Sequence, residues 1–187
     1  MKQYLKLGLF VMALASMAAI MADQARAQVL NSAASTITLN AVLSQSVSVT
    51  LSANAVNFTL TAGNASNPGS TSITATTTWT LKPSVGSLKL YAFFANSASA
   101  LNDGAGDNIP SADFQISNNG GAFTALTNTV PFGGANAGLQ LSSTPILGNS
   151  KTGTRNDVMN LNINLAPLPN LPAGAYTGTL TIQAQAI

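Results

Sequence analysis

Alternation of apolar and polar residues with a period of two is the feature that most constrains this chain. In the stretch STITLNAVLSQSVSVTL the apolar residues share one parity, which Gln45 interrupts: Ile37, Leu39, Ala41, Leu43, Val47, Val49 and Leu51. The other parity carries Ser, Thr and Asn, apart from Val42. No stretch after residue 28 has the periodicity of a helix over about ten residues. The sequence therefore predicts an all-β fold, with residues 35–51 forming one long strand or two collinear ones.

Further alternating segments follow at short intervals. They are SITATTTWTL, SLKLYAFFA, VMNLNINLAPLP and TGTLTIQAQAI, with VNFTL and LQLSS as shorter candidates. The segments FQIS and FTALT flank NNGG, which predicts a hairpin because Asn and Gly accept the left-handed conformations of tight turns. About 7–9 mostly antiparallel strands are expected, and this pattern predicts a single β-sandwich over residues 28–187.

The first residues have the pattern of a secretory signal peptide. Lys2 and Lys6 are followed by an apolar run over residues 7–22 and by the small-x-small sequence Ala25-Arg26-Ala27. We expect residues 1–27 to be removed and the protein to be exported. The apolar run is shorter than the roughly twenty residues of a spanning helix, so no stable membrane insertion is expected after cleavage.

The charges after residue 27 are few and balanced. They are Lys82, Lys89, Lys151, Arg155, Asp103, Asp107, Asp113 and Asp157. Four scattered cations do not form the basic cluster that a nucleic-acid backbone requires, so no nucleic-acid partner is expected. The chain has no His, Cys or Glu. The usual catalytic bases, thiol nucleophiles and transition-metal ligands are thus missing, and we expect no enzyme, no catalytic residue, no metal site and no cofactor.

Two polar or aromatic features have competing interpretations. In NDGAGDN, Asp103 and Asp107 surround two glycines, so their oxygens could wrap a calcium ion, but a plain hairpin turn is the favoured interpretation. Trp79, the single tryptophan, is in phase with Ile73 and Leu81. It is interpreted first as a core anchor and second as a platform for stacking a sugar.

A third candidate lies in LKLYAFF. Leu88, Leu90, Ala92 and Phe94 occupy one face of this predicted strand, and Lys89, Tyr91 and Phe93 occupy the other. If the first face is core, Tyr91 and Phe93 form a candidate aromatic surface for a glycan or a neighbouring subunit. The alternative is that a loop buries them.

Both ends of the predicted domain carry a resemblance. The segments STITLNAVLSQSVSVTLSA and LPAGAYTGTLTIQAQAI resemble the two ends of Gram-negative fimbrial major subunits of the CS1/CFA type and of spore-coat-U-like secreted domains. These proteins typically begin with an alternating strand and close with a turn, a Tyr-x-Gly or Tyr-x-Asp sequence and a Thr-rich or Val-rich strand. Spore-coat-U-like domains usually carry cysteines, so the absence of cysteine here favours the cysteine-free fimbrial branch or a distinct relative.

The resemblance implies an immunoglobulin-like, pilin-like sandwich that lacks one strand and assembles by strand addition. A neighbouring subunit's N-terminal segment would fill the open groove, with backbone hydrogen bonds giving affinity and alternate side chains giving register. The candidate donor residues are Ile37, Leu39, Ala41 and Leu43, within residues 35–46. The candidate groove-edge strand is Tyr176 to Ile187, with Tyr176, Leu180, Ile182 and Ala184 on one face. A heterologous contact of this kind builds a fibre.

The sequence therefore favours a secreted structural protein of the cell surface, a fimbrial or pilus-like subunit. The resemblance implies self-association, a periplasmic chaperone and an usher as partners, and passage through the periplasm to the cell surface or medium. The alternative is a monomeric secreted β-sandwich that binds a glycan or a cell-envelope partner. A monomer whose residues 35–51 pair within their own sheet would weaken the fibre hypothesis.

Overall fold

The computed structural model describes residues 32–187, so the predicted signal peptide, residues 1–27, lies outside the described part. Residues 32–42 and 43–187 form two separate units. The first unit has no helix or strand, and the second contains every strand described below. None of the described residues forms a helix long and apolar enough to cross a membrane.

Eleven strands and one short 3₁₀ turn, Ser111–Asp113, make up the second unit. The strands are β1 (Ser46–Leu51), β2 (Asn67–Pro68), β3 (Ile73–Thr80), β4 (Ser87–Phe93), β5 (Leu101–Asn102), β6 (Asn108–Ile109), β7 (Phe114–Asn118), β8 (Thr124–Ala125), β9 (Gly138–Pro145), β10 (Thr152–Ile163) and β11 (Thr181–Ala186). Eleven strands are slightly more than the predicted 7–9, and seven of them have five or more residues. The other four have two residues each, too short for alternation to reveal.

Two antiparallel sheets pack face to face. The six-stranded sheet has the order β1-β3-β10-β7-β8, with β2 also paired to β10, and the three-stranded sheet has the order β11-β4-β9. The prediction of an all-β sandwich is confirmed. The predicted hairpin over NNGG is confirmed as well: β7 and β8 flank Asn119 and Gly120, whose φ angles are +52° and +76°.

The space between the sheets holds two apolar clusters. The larger includes side chains from both sheets, among them Ile73, Leu90, Phe114, Met159 and Ile163. The smaller, which we call the Trp79 cluster, consists of Trp79, Leu81, Leu88 and Ile146, with Val47, Val85, Ala184 and Ala186 packed against it. Each cluster contains members of the predicted parity because a strand sends alternate side chains to opposite faces.

A buried carboxylate lies between the two clusters. Asp157 is fully buried and lines a small space together with Leu88 of the Trp79 cluster and Leu90 of the larger one. Its Oδ1 accepts hydrogen bonds from Arg155 Nη2 at 2.9 Å, Asn119 Nδ2 at 2.9 Å and Asn118 Nδ2 at 3.2 Å, and its Oδ2 accepts one from the Ser142 hydroxyl at 3.2 Å. The network therefore ties β10 to β7 in its own sheet and to β9 in the facing sheet.

The prediction for residues 35–51 is met only in its second half. Ser46–Leu51 form β1 and pair antiparallel with β3, from Ser46 opposite Thr80 to Leu51 opposite Ala75. Residues 35–45 belong to no strand. The physical reason is that β3 ends at Thr80, the partner of Ser46, so its ladder offers the preceding residues no backbone groups to pair with.

Candidate functional site

A groove of about 800 Å³ opens in the sandwich, and we regard it as the candidate functional site. Residues 51–62 form one wall, and residues 171–182 form the other. The floor consists of apolar side chains of the larger cluster: Ile73, Phe94, Leu101, Phe114, Leu161, Ile163 and Leu165. Its volume lies within the range of about 300–1,000 Å³ that is typical of ligand pockets. The floor side chains are at most 9% exposed, so the apolar surface that the groove presents comes mainly from the half-buried side chains of its walls.

The first wall forms because the chain leaves the six-stranded sheet at Leu51. Beyond it, Val56, Phe58 and Leu60 alternate and lie half-buried against the larger cluster. Phe58 meets the ring of Phe114 edge-on, with 5.9 Å between centroids. Among described residues only one isolated bridge, from Phe58 to Gly69, gives this wall strand-like pairing. The wall is therefore held by side-chain packing more than by a backbone ladder.

The second wall is anchored at Tyr176 to Gly178. The Tyr176 hydroxyl donates to the Pro172 carbonyl oxygen at 2.9 Å. Thr177 exchanges two backbone hydrogen bonds with Asn102, both of 2.9 Å. A Cβ at position 178 would overlap the carbonyl oxygen of Ala100, so this close approach of two backbones requires glycine. Each residue of the Tyr-Thr-Gly sequence therefore helps to hold the second wall in place at the end of the groove.

Strand β11 continues the second wall and has a free edge. It pairs with β4 on one side, from Thr181 opposite Phe93 to Ala186 opposite Leu88. Within residues 32–187 its other edge has no strand partner, and residues 178–180 belong to no strand. A free edge presents unpaired N–H and C=O groups, which favour pairing with an added strand.

The mouth of the groove is acidic. Oδ1 of Asp103 accepts the backbone N–H groups of Ala105, Gly106 and Asp107 at 2.8, 3.1 and 3.0 Å. These bonds lower the pKa of Asp103 and keep it ionised. Partial burial, and then the charges of Asp107 and Asp103, raise the pKa of the Tyr176 phenol. Both carboxylates therefore contribute negative potential beside the groove wall.

The structure brings three of the four predicted edge residues to the groove. Tyr176, Leu180 and Ile182 line it, whereas Ala184 lies farther along β11 and also packs against the Trp79 cluster. The four candidate donor residues, Ile37, Leu39, Ala41 and Leu43, are exposed, and the three large ones have exposed fractions of 83–88%. The sequence predicts VNFTL as a short strand, but it does not indicate that Val56, Phe58 and Leu60 of this segment line a groove.

The aromatic surface predicted from LKLYAFF is wrong. Tyr91 and Phe93 are only 5% and 9% exposed because Phe132 covers them, with centroid distances of 6.0 Å and 5.8 Å. Burial also raises the pKa of Tyr91. The structure therefore agrees with the alternative, in which a loop buries Tyr91 and Phe93.

The remaining alternatives concern Trp79 and the turn at Asp103. Trp79 is buried, and its Nε1 donates to the Ser150 carbonyl oxygen at 2.9 Å, so it is a core anchor and not a sugar platform. Asp103 closes the turn between β5 and β6, which agrees with the favoured hairpin interpretation.

Comparison with known proteins adds no relative to these observations. No protein-family model matches the sequence, and no curated protein shows significant similarity to it. The function is therefore inferred from the groove, its free edge and the exposed N-terminal segment.

Proposed function

We propose that this protein is a secreted structural subunit that assembles by strand addition, with residues 35–46 of a second copy filling the groove. The observation that carries the proposal is an apolar groove beside a free strand edge, together with an exposed segment of matching alternation. Burial of Ile37, Leu39 and Leu43 contributes roughly 1.5–3 kcal/mol for each side chain, against the entropic cost of association. Added backbone hydrogen bonds fix the register.

The position of Ser46 favours insertion between copies over filling of the chain's own groove. Ser46, where the segment joins β1, lies opposite Thr80, beside the Trp79 cluster. The groove lies at the other end of the strands, where Ile73 begins β3 and Ile163 ends β10. Leu51, which lines the groove, is five residues from Ser46 along β1, roughly 17 Å at about 3.3 Å per residue, so residues 35–45 would have to turn back at Ser46 to enter their own groove.

This polarity also predicts the direction of the added strand. A donor that enters from a neighbouring copy has its residue 46 at the groove mouth and its residue 35 deeper in the sandwich. Strand β11 starts at the mouth and runs inward, so the donor adds antiparallel to β11. Each copy then offers one groove and one donor at opposite ends, which is a heterologous contact that builds a fibre.

The test uses substitutions on the two parities of the donor segment in protein purified without its predicted leader. Leu39→Asp places a charge on the inserted face, and Val42→Asp places the same charge on the opposite face, where 92% of Val42 is exposed. We expect wild type and Val42→Asp to form fibres visible by electron microscopy, and Leu39→Asp to remain monomeric. Equal behaviour of the two variants would contradict the proposal.

Disulfide trapping provides a direct test of the contact. The chain has no cysteine, so one cysteine in the donor and one in the groove wall can be introduced without competing thiols. We expect a copy carrying Leu39→Cys to crosslink to a copy carrying Leu180→Cys, and a copy carrying Val42→Cys to crosslink much less. Crosslinking within one chain in a double variant, with no crosslinking between chains, would overturn intermolecular addition.

The alternative function, a monomeric glycan-binding sandwich, loses its aromatic candidates because Trp79, Tyr91 and Phe93 are buried. The pairing of Ser46–Leu51 with β3 of the same chain favours a monomer, whereas residues 35–45 lie in no strand and remain available as a donor.

A further inference from the structure

The charges of the second unit are divided between the two ends of the sandwich. Lys82 and Lys151 lie at the end that holds the Trp79 cluster, which we call the Trp79 pole. The backbone N–H of Leu81 donates to the carbonyl oxygen of Lys151 at 2.8 Å, and the N–H of Lys82 donates to Oε1 of Gln45 at 2.9 Å. Both lysines are therefore close to Ser46, where the donor segment joins the sandwich.

The opposite end, which we call the groove pole, carries Asp103 and Asp107. A Cβ built on Gly174 would lie 3.7 Å from Cβ of Asp103, and Gly174 itself lines the groove. Asp107 closes the same turn, since its N–H donates to Oδ1 of Asp103. These two carboxylates therefore stand beside the entrance through which an added strand passes.

The other charges among the described residues do not change this division. Arg155 and Asp157 pair with each other at 2.9 Å, and Asp113 is buried. Lys89 lies on the outer face of the three-stranded sheet, opposite Gln185 and Ser143 in register. Among the side chains of the described residues, two cations outside any ion pair thus lie at one pole and two half-buried acids lie at the other.

We infer that the two poles form a charge-complementary contact between successive copies, in which Lys82 and Lys151 of one copy face Asp103 and Asp107 of the next. This inference rests on the proposed strand addition, because the donor segment starts beside the lysines and enters beside the carboxylates. The contact orients approaching copies head to tail and repels copies that meet with like poles. Exposed charges act mainly on the association rate, and salt screens them.

The test reverses the charge of each pole and measures fibre growth by light scattering at low and high salt. One variant carries Lys82→Glu with Lys151→Glu, and the other carries Asp103→Asn with Asp107→Lys, since Asn at position 103 retains the acceptor that closes the turn. Each variant alone should grow at least roughly tenfold more slowly than wild type at low salt. An equimolar mixture of the two should grow faster than either alone, because each acidic pole then finds a basic one.

Two controls separate this inference from the proposal beneath it. Lys89→Glu makes, on the sheet face, the same change of charge as each single lysine substitution at the pole, and it should grow at the wild-type rate. If Leu39→Asp abolishes growth while both pole variants grow like wild type at every salt concentration, strand addition stands and the pole contact is overturned. If wild type fails to grow and Leu39→Asp behaves identically, strand addition itself is overturned.

Discussion

The Trp79 pole and the groove pole are two ends of the same pair of sheets, yet only one of them is closed. At the Trp79 pole, Val47 of β1 and Ala186 of β11 both pack against the cluster, so the edges of the two sheets meet over a filled interior. At the groove pole, β1 has already ended at Leu51 and β11 begins only at Thr181. The strands alternate apolar and polar residues at both poles, so this alternation alone does not decide whether the interior is covered. Strands must also extend far enough to cover it.

The difference predicts unequal costs for removing an aromatic side chain at the two poles. Trp79→Ala should destabilise the protein by about 3–5 kcal/mol, because it empties a fully packed site. Phe58→Ala, on the groove wall, should cost only about 1–2 kcal/mol, because its side chain is already half-exposed. Denaturant unfolding of the monomeric Leu39→Asp background measures both. Equal costs would mean that the groove is closed in solution.

The next largest loss of stability is expected at Asp157, which lies between the two apolar clusters. Asp157→Asn should cost about 3 kcal/mol at neutral pH, because it removes the charge that pairs with Arg155 in a buried network. Asp107→Asn makes the same chemical change at an exposed carboxyl, and its effect should stay within about 0.5 kcal/mol.

The pH dependence of this cost has a definite sign. Burial opposes ionisation of Asp157, but hydrogen bonds from Arg155, Asn118 and Asn119 outweigh it and hold the pKa below its usual value. The stabilisation is therefore present above the unfolded pKa of about 3.9 and is lost as the pH falls through the folded pKa. Denaturant midpoints of wild type and Asp157→Asn should converge as the pH falls below about 4. A difference that stays constant down to pH 2 would contradict this assignment.

Substitution of one glycine near each pole should change the free energy of unfolding by an intermediate amount. Gly178→Ala should cost about 1–3 kcal/mol, because its Cβ overlaps the Ala100 carbonyl and forces the groove wall away from Asn102. Gly148→Ala, in a loop near the Trp79 pole with no atom within 4 Å of the added Cβ, should be close to neutral. Thermal unfolding of the two variants, with fibre growth as a second readout, distinguishes a rigid wall from an adaptable one.

The smallest effect is expected at Asp113, near the start of β7. Burial raises its pKa, so the charged form is disfavoured in the folded protein. The stability associated with its neutral form is complete below the unfolded pKa of about 3.9 and is lost as the pH rises through the folded pKa. Asp113→Asn should therefore stabilise the protein at pH 7 and have no effect near pH 3, measured by denaturant midpoints. A destabilised variant at pH 7 would show that the carboxylate has a favourable partner.

Alternation in the sequence predicted which side chains are buried wherever one face of a strand packs in the interior. The parity of Ile73, Trp79 and Leu161 was sufficient to assign them to the core, because alternate side chains of a strand share a face. Alternation does not decide whether Tyr91 and Phe93 are buried, because the side chain that covers them, Phe132, comes from a loop some forty residues away in sequence. The segment VNFTL, predicted as a short strand, instead forms an irregular groove wall from Val56 to Leu60, because only an isolated bridge pairs it.

By itself, the sequence determined that this chain forms sheets with an apolar interior, since a period of two has no other stable arrangement in water. It also determined which side chains of the last strand share a face. Only the tertiary structure decided that the interior is covered at one pole and open at the other. Where a strand ends depends on the partners that its backbone finds, and those partners are far apart in the chain.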